Sequence, residues 1–503
     1  MKQFKDTQRV GEFCIEGNYL PGDLKLNGSE TTLELHSKSE FQGTLERHGD
    51  IHGVLGGNEK VSLLDCITRN YSSNYSGVSD ERRFSAFIFP HYAVFGPLHI
   101  NRSEPKITAL NFVIQDATEL FYDFGAFGTI LNKDLDIKST LEQVSKQKNR
   151  EFELGDHPEL FYYSGKRNIF EMLSDLGTIS AYHAPTITFP SPEGISVINQ
   201  IPVRIKFGDP HCFDDALNKY HTLLPFLETL IGRPQNIMSL NLEIEGTERP
   251  QYLSVYSTMR EEYKNGSRDP HCSSMLINGG MEPEKFSNIL KLWLVRHKAW
   301  HDSRARFIQS FRQQNHYTID RLIGAANMFD IMPVDAAGTP EKPSDEIISA
   351  IESAKEIIRK AQPCQERDRA LGDLGRIGKH NLKSKVKNRA KIITSELDGF
   401  FLDLDTLIDE AINCRNFFVH GTSQGKLSSE DRYTFLSYFT DMLEFIFATS
   451  DLVECGWDIK EWATNSSTLS HPFRTFLHGY GEFRSKFHAA IEKSDPVSSV
   501  AGV

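Results

Sequence analysis

The chain lacks long apolar runs, and its first ten residues, MKQFKDTQRV, are polar. A membrane-spanning helix needs about 20 mostly apolar residues, and a secretory signal needs a hydrophobic core, so these absences argue against both. We therefore expect a cytoplasmic protein without membrane contact. Seven cysteines without a CxxC pair also favour a reducing compartment over a disulfide framework.

Nucleotide-binding motifs are missing as well. The sequence contains neither a P-loop nor a dinucleotide fingerprint, so a nucleotide-driven machine is not expected, and we expect no cofactor. Asp-Pro-His-Cys occurs twice, at 209–212 and 269–272. Two His/Cys pairs could supply four zinc ligands, but adjacent residues point in different directions and the usual spacer is absent. Turn-forming Asp-Pro segments are the favoured interpretation, and no metal site is predicted.

The chain has fewer basic than acidic residues, with 56 Lys and Arg and 68 Asp and Glu, so its formal net charge is −12. Any contact with nucleic acid must therefore be local. Residues 376–391 carry seven Lys or Arg and no acid, which predicts a track for an RNA backbone, although a solvated surface helix or loop is the alternative. The candidate RNA-binding residues are Lys379, Lys383, Lys385, Lys387, Arg389 and Lys391.

The hydrophobic pattern changes once along the chain. Residues 13–119 read as short strands separated by turn residues, and 133–284 mix strand-like pieces with one helix, whereas a period of 3.6 begins near Pro283. The fold class is therefore α+β multidomain, with a β-rich, sandwich-like N-terminal region before an all-α bundle. The predicted domains are a β-rich lobe at 1–131, a second mixed lobe at 132–284, a helical domain at 285–490 and a flexible tail at 491–503.

Chemistry is concentrated in the segment Arg415-Asn416-Phe417-Phe418-Val419-His420-Gly421. The Arg-x4-His spacing itself is weak evidence, because it occurs two more times, at Arg47/His52 in a Gly-rich segment and at Arg296/His301 on a predicted helix. Context favours the third pair, since an apolar stripe over 404–418 predicts an amphipathic helix and Gly421 stands where a helix C-cap is expected.

In that helix Asn416 and His420 share a face, and the long Arg415 side chain reaches the same groove. His420 falls in the last turn, where the helix dipole favours a cation. A guanidinium, a carboxamide and an imidazole together can cleave a phosphodiester without a metal, so Arg415, Asn416 and His420 are the candidate catalytic residues. The alternative is structural, with Arg415 paired to Asp409 or Glu410 and His420 capping the helix; these two acids are also candidates for holding a catalytic Arg415 in place.

This segment resembles the signature of the HEPN superfamily as found in bacterial RNases. The wider chain resembles abortive-infection proteins of the ApeA type, with weaker similarity at 41–45 and 109–112 and none that we identify between 132 and 284. The resemblance implies a HEPN helical bundle that dimerises so that two motifs form one RNase site, with Arg415, Asn416 and His420 at the motif positions.

The resemblance also implies a role, namely an anti-phage abortive-infection effector that cleaves host RNA, with tRNA as the expected substrate. The N-terminal region would restrain the nuclease and respond to a phage-derived trigger. The predicted partners are RNA and a second copy of the chain. The alternative function is a non-catalytic HEPN bundle that serves as a dimerisation or ligand-binding module, and such a module should tolerate His420→Gln.

Overall fold

The chain divides into two compact units, Met1–Ile231 with Gln235–Ser287 and Gly232–Pro234 with Asn288–Val503. The structure is a computed structural model. It describes residues 7–494 except for 42–48, 77–80, 131–136, 150, 152, 154–158, 189–191, 246–248, 260–262, 264–268, 339–342, 423–424 and 466–467.

The first unit is built mainly from antiparallel strands. They are β1 (Thr7–Ile15), β2 (Asn18–Leu26), β3 (Thr32–Ser37), β4 (Ile51–Leu55), β5 (Lys60–Ser76), β6 (Glu81–Gly96), β7 (Ile107–Ile114), β8 (Phe127–Ile130), β9 (Leu160–Tyr163), β10 (Asn168–Ser174), β11 (Gly177–Tyr182), β12 (Ala184–Ile187), β13 (Val197–Gln200), β14 (Val203–His211), β15 (Ile237–Ile244) and β16 (Gln251–Ser257). Its helices are α1 (Ala117–Leu120), α2 (Ile137–Lys148) and α3 (Phe213–Ile231).

Twelve of these strands form one sheet in the order β10-β11-β14-β7-β15-β16-β6-β3-β2-β1-β4-β5. Because β5 also pairs with β6, the last six strands close into a ring. Alternate side chains point into the ring, as the burial of β3 and β4 shows, and Phe13, Leu24, Leu33, Leu63 and Ile88 belong to its core. The long strand β6 joins this ring to the open half of the sheet.

The open half takes its strands from both sides of the predicted lobe boundary. β7 precedes residue 131, whereas β10, β11, β14, β15 and β16 follow it, and α3 packs against β7 and β14. One sheet therefore spans the two lobes that the sequence analysis separates. The boundary itself, at 131/132, lies outside the described residues.

The second unit is helical. Its helices are α4 (Pro283–Phe311), which begins in the first unit, α5 (Ile319–Asp330), α6 (Asp345–Arg359), α7 (Gln365–Leu374), α8 (Leu382–Glu396), α9 (Leu404–His420), α10 (Ser429–Thr434), α11 (Leu436–Glu454), α12 (Ile459–Thr464) and α13 (Pro472–Ser494). α11 is buried along most of its length and packs against α5, α8, α9 and α13. The predicted change from a β-rich region to a helical one is confirmed.

The last helix extends beyond the predicted end of the helical domain at residue 490. Residues 491–494 belong to α13 rather than to a tail, and 495–503 lie outside the described residues. Across all the described ranges, no helix is both long and apolar enough to cross a membrane.

Candidate active site

Helix α9 carries the Arg-x4-His segment, and its apolar face fixes it in the bundle. Leu407, Ile408, Ala411 and Ile412 are buried, and α9 packs against α5, α8 and α11. The helix ends at Gly421, which has φ +67° and donates its backbone amide to the Phe417 carbonyl. Glycine adopts this left-handed conformation without a steric penalty, so the predicted C-cap is observed where the sequence placed it.

Arg415 is held by two carboxamides. Its Nη2 donates to Oδ1 of Asn327 on α5 at 2.8 Å, and its Nη1 donates to Oδ1 of Asn416 at 3.1 Å. Its Nε is buried and has no hydrogen-bond partner in the described part of the chain. A carboxamide is neutral, so it orients the guanidinium without compensating its charge. Asn327 has no signal in the sequence that connects it with the motif.

Asn416 and His420, the other two polar residues of the motif, lie in the C-terminal part of α9. Asn416 is half-buried, and His420 is exposed in the last helical turn. Within the described ranges, no side chain or backbone group forms a hydrogen bond with the His420 imidazole. This ring is therefore accessible to a substrate and has both nitrogens available for proton transfer.

The two acids considered as partners of Arg415 have other roles. Asp409 accepts a hydrogen bond from Lys387 Nζ at 2.8 Å. Glu410 is buried and accepts from Asn413 Nδ2 at 3.1 Å and from the Lys426 backbone amide at 2.9 Å. The expectation that either acid holds Arg415 is wrong. Glu410 instead fixes the backbone that follows the motif.

The other two Arg-x4-His pairs differ from this arrangement. Arg47 lies outside the described residues, while His52 contacts the Ile100 carbonyl oxygen at 3.1 Å and stacks on His99. Arg296 pairs with Glu454 and lies 3.6 Å from Asp451, so carboxylates neutralise its charge.

Near Arg296, a cluster of buried charges stabilises the helical unit. Arg304 donates to both carboxylate oxygens of Asp451 at 2.8 and 3.0 Å, and its guanidinium lies 4.0 Å from the ring centroid of Trp293. Both members of the pair are nearly inaccessible to solvent. The function of this cluster is therefore structural.

Arg389 belongs to the same cluster, which corrects its assignment as an RNA-binding residue. Its side chain is fully buried, its Nε donates to Ser450 Oγ at 2.9 Å, and its Nη1 lies 2.8 Å from Glu454. Burial lowers the pKa of the guanidinium, and Glu454 opposes this shift. A fully buried guanidinium cannot reach an RNA backbone. The spacing of Arg389 from the buried Val386 and Ile393 is the sequence signal for its inward position.

Three lysines of the basic run are half-buried and already bound. Lys383 donates to Asn413 at 2.7 Å, Lys385 donates to the Asp330 carbonyl at 2.8 Å, and Lys387 pairs with Asp409. Lys379 and Lys391 are exposed. The surface available for phosphate contacts is therefore smaller than the sequence predicts.

The repeated Asp-Pro-His-Cys segments have unrelated local roles. His211 ends β14 and Cys212 donates to Asp215, whereas His271 caps a 3-10 turn through Ser273 and lies beside Cys272. Over the described part of the chain, no group of three or more His, Cys, Asp or Glu is arranged to hold a metal ion.

Comparison with protein families agrees with this architecture. The model of the Apea-like HEPN domain matches residues 324–461, which include α9, and the model of ApeA N-terminal domain 1 matches residues 8–293. The chain is thus a two-part protein with a β-rich N-terminal unit and a HEPN helical unit. Because the second match covers more than half of it, the chain belongs to the ApeA family.

This membership confirms the family expected from residues 415–421, and it indicates an abortive-infection effector with a HEPN nuclease domain. No curated protein and no solved structure matches the chain.

Proposed function

We propose that the chain is an anti-phage endoribonuclease that cleaves host RNA without a metal ion, with tRNA as its substrate class. One observation carries this proposal. Arg415 is oriented by two neutral carboxamides, and the exposed His420 lies in the last turn of the same helix, so an uncompensated cation and an imidazole are both available near the C-terminal end of α9. By contrast, Arg296 of the other helical Arg-x4-His pair meets carboxylates.

In the proposed reaction the ribose 2′-hydroxyl attacks the adjacent phosphorus while the bond from phosphorus to the 5′-oxygen breaks. Neutral His420 takes the 2′-proton, and protonated His420 of a second copy donates a proton to the leaving 5′-oxygen. Arg415 stabilises the dianionic phosphorane through its planar set of donors, and Asn416 holds Arg415. The products are a 2′,3′-cyclic phosphate and a 5′-hydroxyl end.

Two copies are needed because one imidazole cannot be base and acid in the same step. The exposed end of α9 supports this part of the proposal, since His420 is accessible to a second subunit as well as to RNA. In a symmetric dimer each copy would present the same residues, so a single site would contain two arginines and two histidines.

The first unit is proposed to regulate the nuclease, since an enzyme that cleaves host RNA must be inactive in a healthy cell. Ends bearing 2′,3′-cyclic phosphate should be mapped in cells that express the full chain, with and without phage challenge. New ends on tRNA that depend on challenge support the proposal. Absence of such ends under every challenge would instead favour a non-catalytic HEPN module.

The same mapping in cells that express residues 285–503 tests the regulation. If the first unit restrains or triggers cleavage, its removal should change the amount of RNA ends at equal protein level. An identical pattern with and without residues 1–284 would contradict the regulatory role and leave the nuclease proposal intact.

The exposed lysines of the basic run are proposed to contact the RNA backbone. Lys379→Glu and Lys391→Glu should each weaken binding to single-stranded RNA and reduce the slope of log K against log salt by about 0.7 per lost phosphate contact. The matched control is Lys460→Glu, which reverses an exposed charge on α12 of the same unit. If all three substitutions weakened RNA binding equally, the loss would come from the net charge of the protein, and a local RNA-binding surface at 376–391 would be rejected.

A further inference from the structure

Helices α6 and α7 form a hairpin whose packing is incomplete. α6 packs against α7, and neither helix has a buried residue. α6 is nevertheless strongly amphipathic, and Ser344 caps it by accepting a hydrogen bond from the Ile347 backbone amide. A well-formed helix with an apolar face that the described residues of its unit leave exposed is a candidate contact surface.

The open face of α6 has the spacing of a helix-pairing seam. Ile347, Ala350, Ala354 and Ile357 follow one another at intervals of three, four and three residues, which places them on one stripe. Ile347 is 49% exposed and Ile357 is 69% exposed, Ala350 is exposed, and Ala354 is half-buried. Small residues at the centre of the stripe allow two helix axes to approach closely, while the isoleucines supply apolar area at both ends.

The charge distribution along α6 indicates which partner could bind its exposed apolar face. Residues 345–352 carry three acids and no base, whereas residues 353–360 carry Lys355, Arg359 and Lys360 against one acid, Glu356. A second α6 placed antiparallel would set each acidic half against a basic half and would also oppose the two helix dipoles. A parallel arrangement would bring like charges together.

We propose that this face of α6 is a self-association surface that pairs antiparallel with α6 of a second copy. In the two-fold register Ile347 lies opposite Ile357 of the other copy, Ala350 lies opposite Ala354, and Glu346 comes near Lys360. The contact is separate from the proposed pairing through α9. It would be a second contact between copies of the chain, independent of the first.

Disulfide cross-linking tests the register. Cys364 is exposed, so the parent protein carries Cys364→Ser, and Ile347→Cys and Ile357→Cys are introduced into separate chains. Mixed under mild oxidation, these chains should link at least about ten-fold faster than either alone, because pairing raises the local concentration from micromolar to roughly millimolar. In the proposed antiparallel pair, Ile347 of one copy lies about 15 Å from Ile347 of the other, which is beyond the reach of a disulfide, so neither variant should link to itself.

Glu352→Cys is the matched control, because it lies near the proposed two-fold axis but on the opposite face of α6. The proposal would be overturned if the mixture of Ile347→Cys and Ile357→Cys formed disulfides no faster than Glu352→Cys does. It would also be overturned if Ile347→Cys alone formed disulfides as fast as the mixture, because a parallel pair would give that result. If the same variants are oxidised together inside cells, links to a different protein without a homodimer would assign the face to another partner and also overturn the proposal. Since the measurement needs neither RNA nor cleavage, its failure would leave the proposed ribonuclease untouched.

Discussion

His420→Gln protein should cleave RNA about 10²–10⁴-fold more slowly than the wild type, because glutamine keeps the polarity of the side chain but cannot transfer a proton. Arg415→Ala should lose about 10²–10³-fold, as expected when one stabilising donor group is removed from a developing anion. Asn327→Ala should cost less, about 10- to 100-fold, since it removes one hydrogen bond to a charged group. Single-turnover cleavage of tRNA by purified protein measures all three.

The chain supplies its own control for this experiment. His301→Gln alters the histidine of another Arg-x4-His pair, whose ring is exposed and contacts Asp302 at 2.9 Å. Its cleavage rate should equal that of the wild type. If His420→Gln also cleaved at the wild-type rate, His420 would be neither the acid nor the base, and the proposed mechanism would be wrong.

Asp451→Ala should destabilise the helical unit by about 3–5 kcal/mol, because it leaves the buried Arg304 without its carboxylate. Tryptophan fluorescence during urea unfolding is a selective measurement. The four tryptophans are Trp293, Trp300, Trp457 and Trp462, and all of them belong to the second unit. The observed transition therefore reports that unit without a contribution from the sheet.

Glu482→Ala is the control for this loss of stability. It also removes a carboxylate from an ion pair, but its partner Lys486 lies one turn away on α13 and both side chains are exposed. Water replaces such a contact at little cost, so the unfolding midpoint should stay unchanged. A shift for Asp451→Ala no larger than that of the control would contradict the structural role of the buried cluster.

Local sequence signals predicted the parts of the candidate site that depend on one helix. The stripe that includes Leu407 and Ala411, together with the glycine at 421, is enough to place α9 and its end. Asn327 could not be predicted, because it lies 88 residues before Arg415 and meets it only through packing of α5 on α9. Pairings of this kind depend on tertiary structure, which no local pattern encodes.

The same limit applies to the sheet. The segment of β3 was predicted as a strand, whereas β4 falls in the Gly-rich segment around His52, for which a turn was expected; that expectation is wrong. The pairing of β5 with both β4 and β6, which closes the ring, is a long-range contact. Charge was also misleading in the basic run, because positive residues were assumed to face solvent. Arg389 is instead buried beside the Glu454 carboxylate and the Trp300 ring, although its Nη1 and Nη2 have no hydrogen-bond partner in the described part of the chain.

The carboxamide support of Arg415 makes its orientation insensitive to acidity. Asn327 and Asn416 do not gain or lose a proton over the range in which proteins stay folded, whereas a carboxylate partner would release an arginine in acid. The cation should therefore keep the same position across that whole pH range.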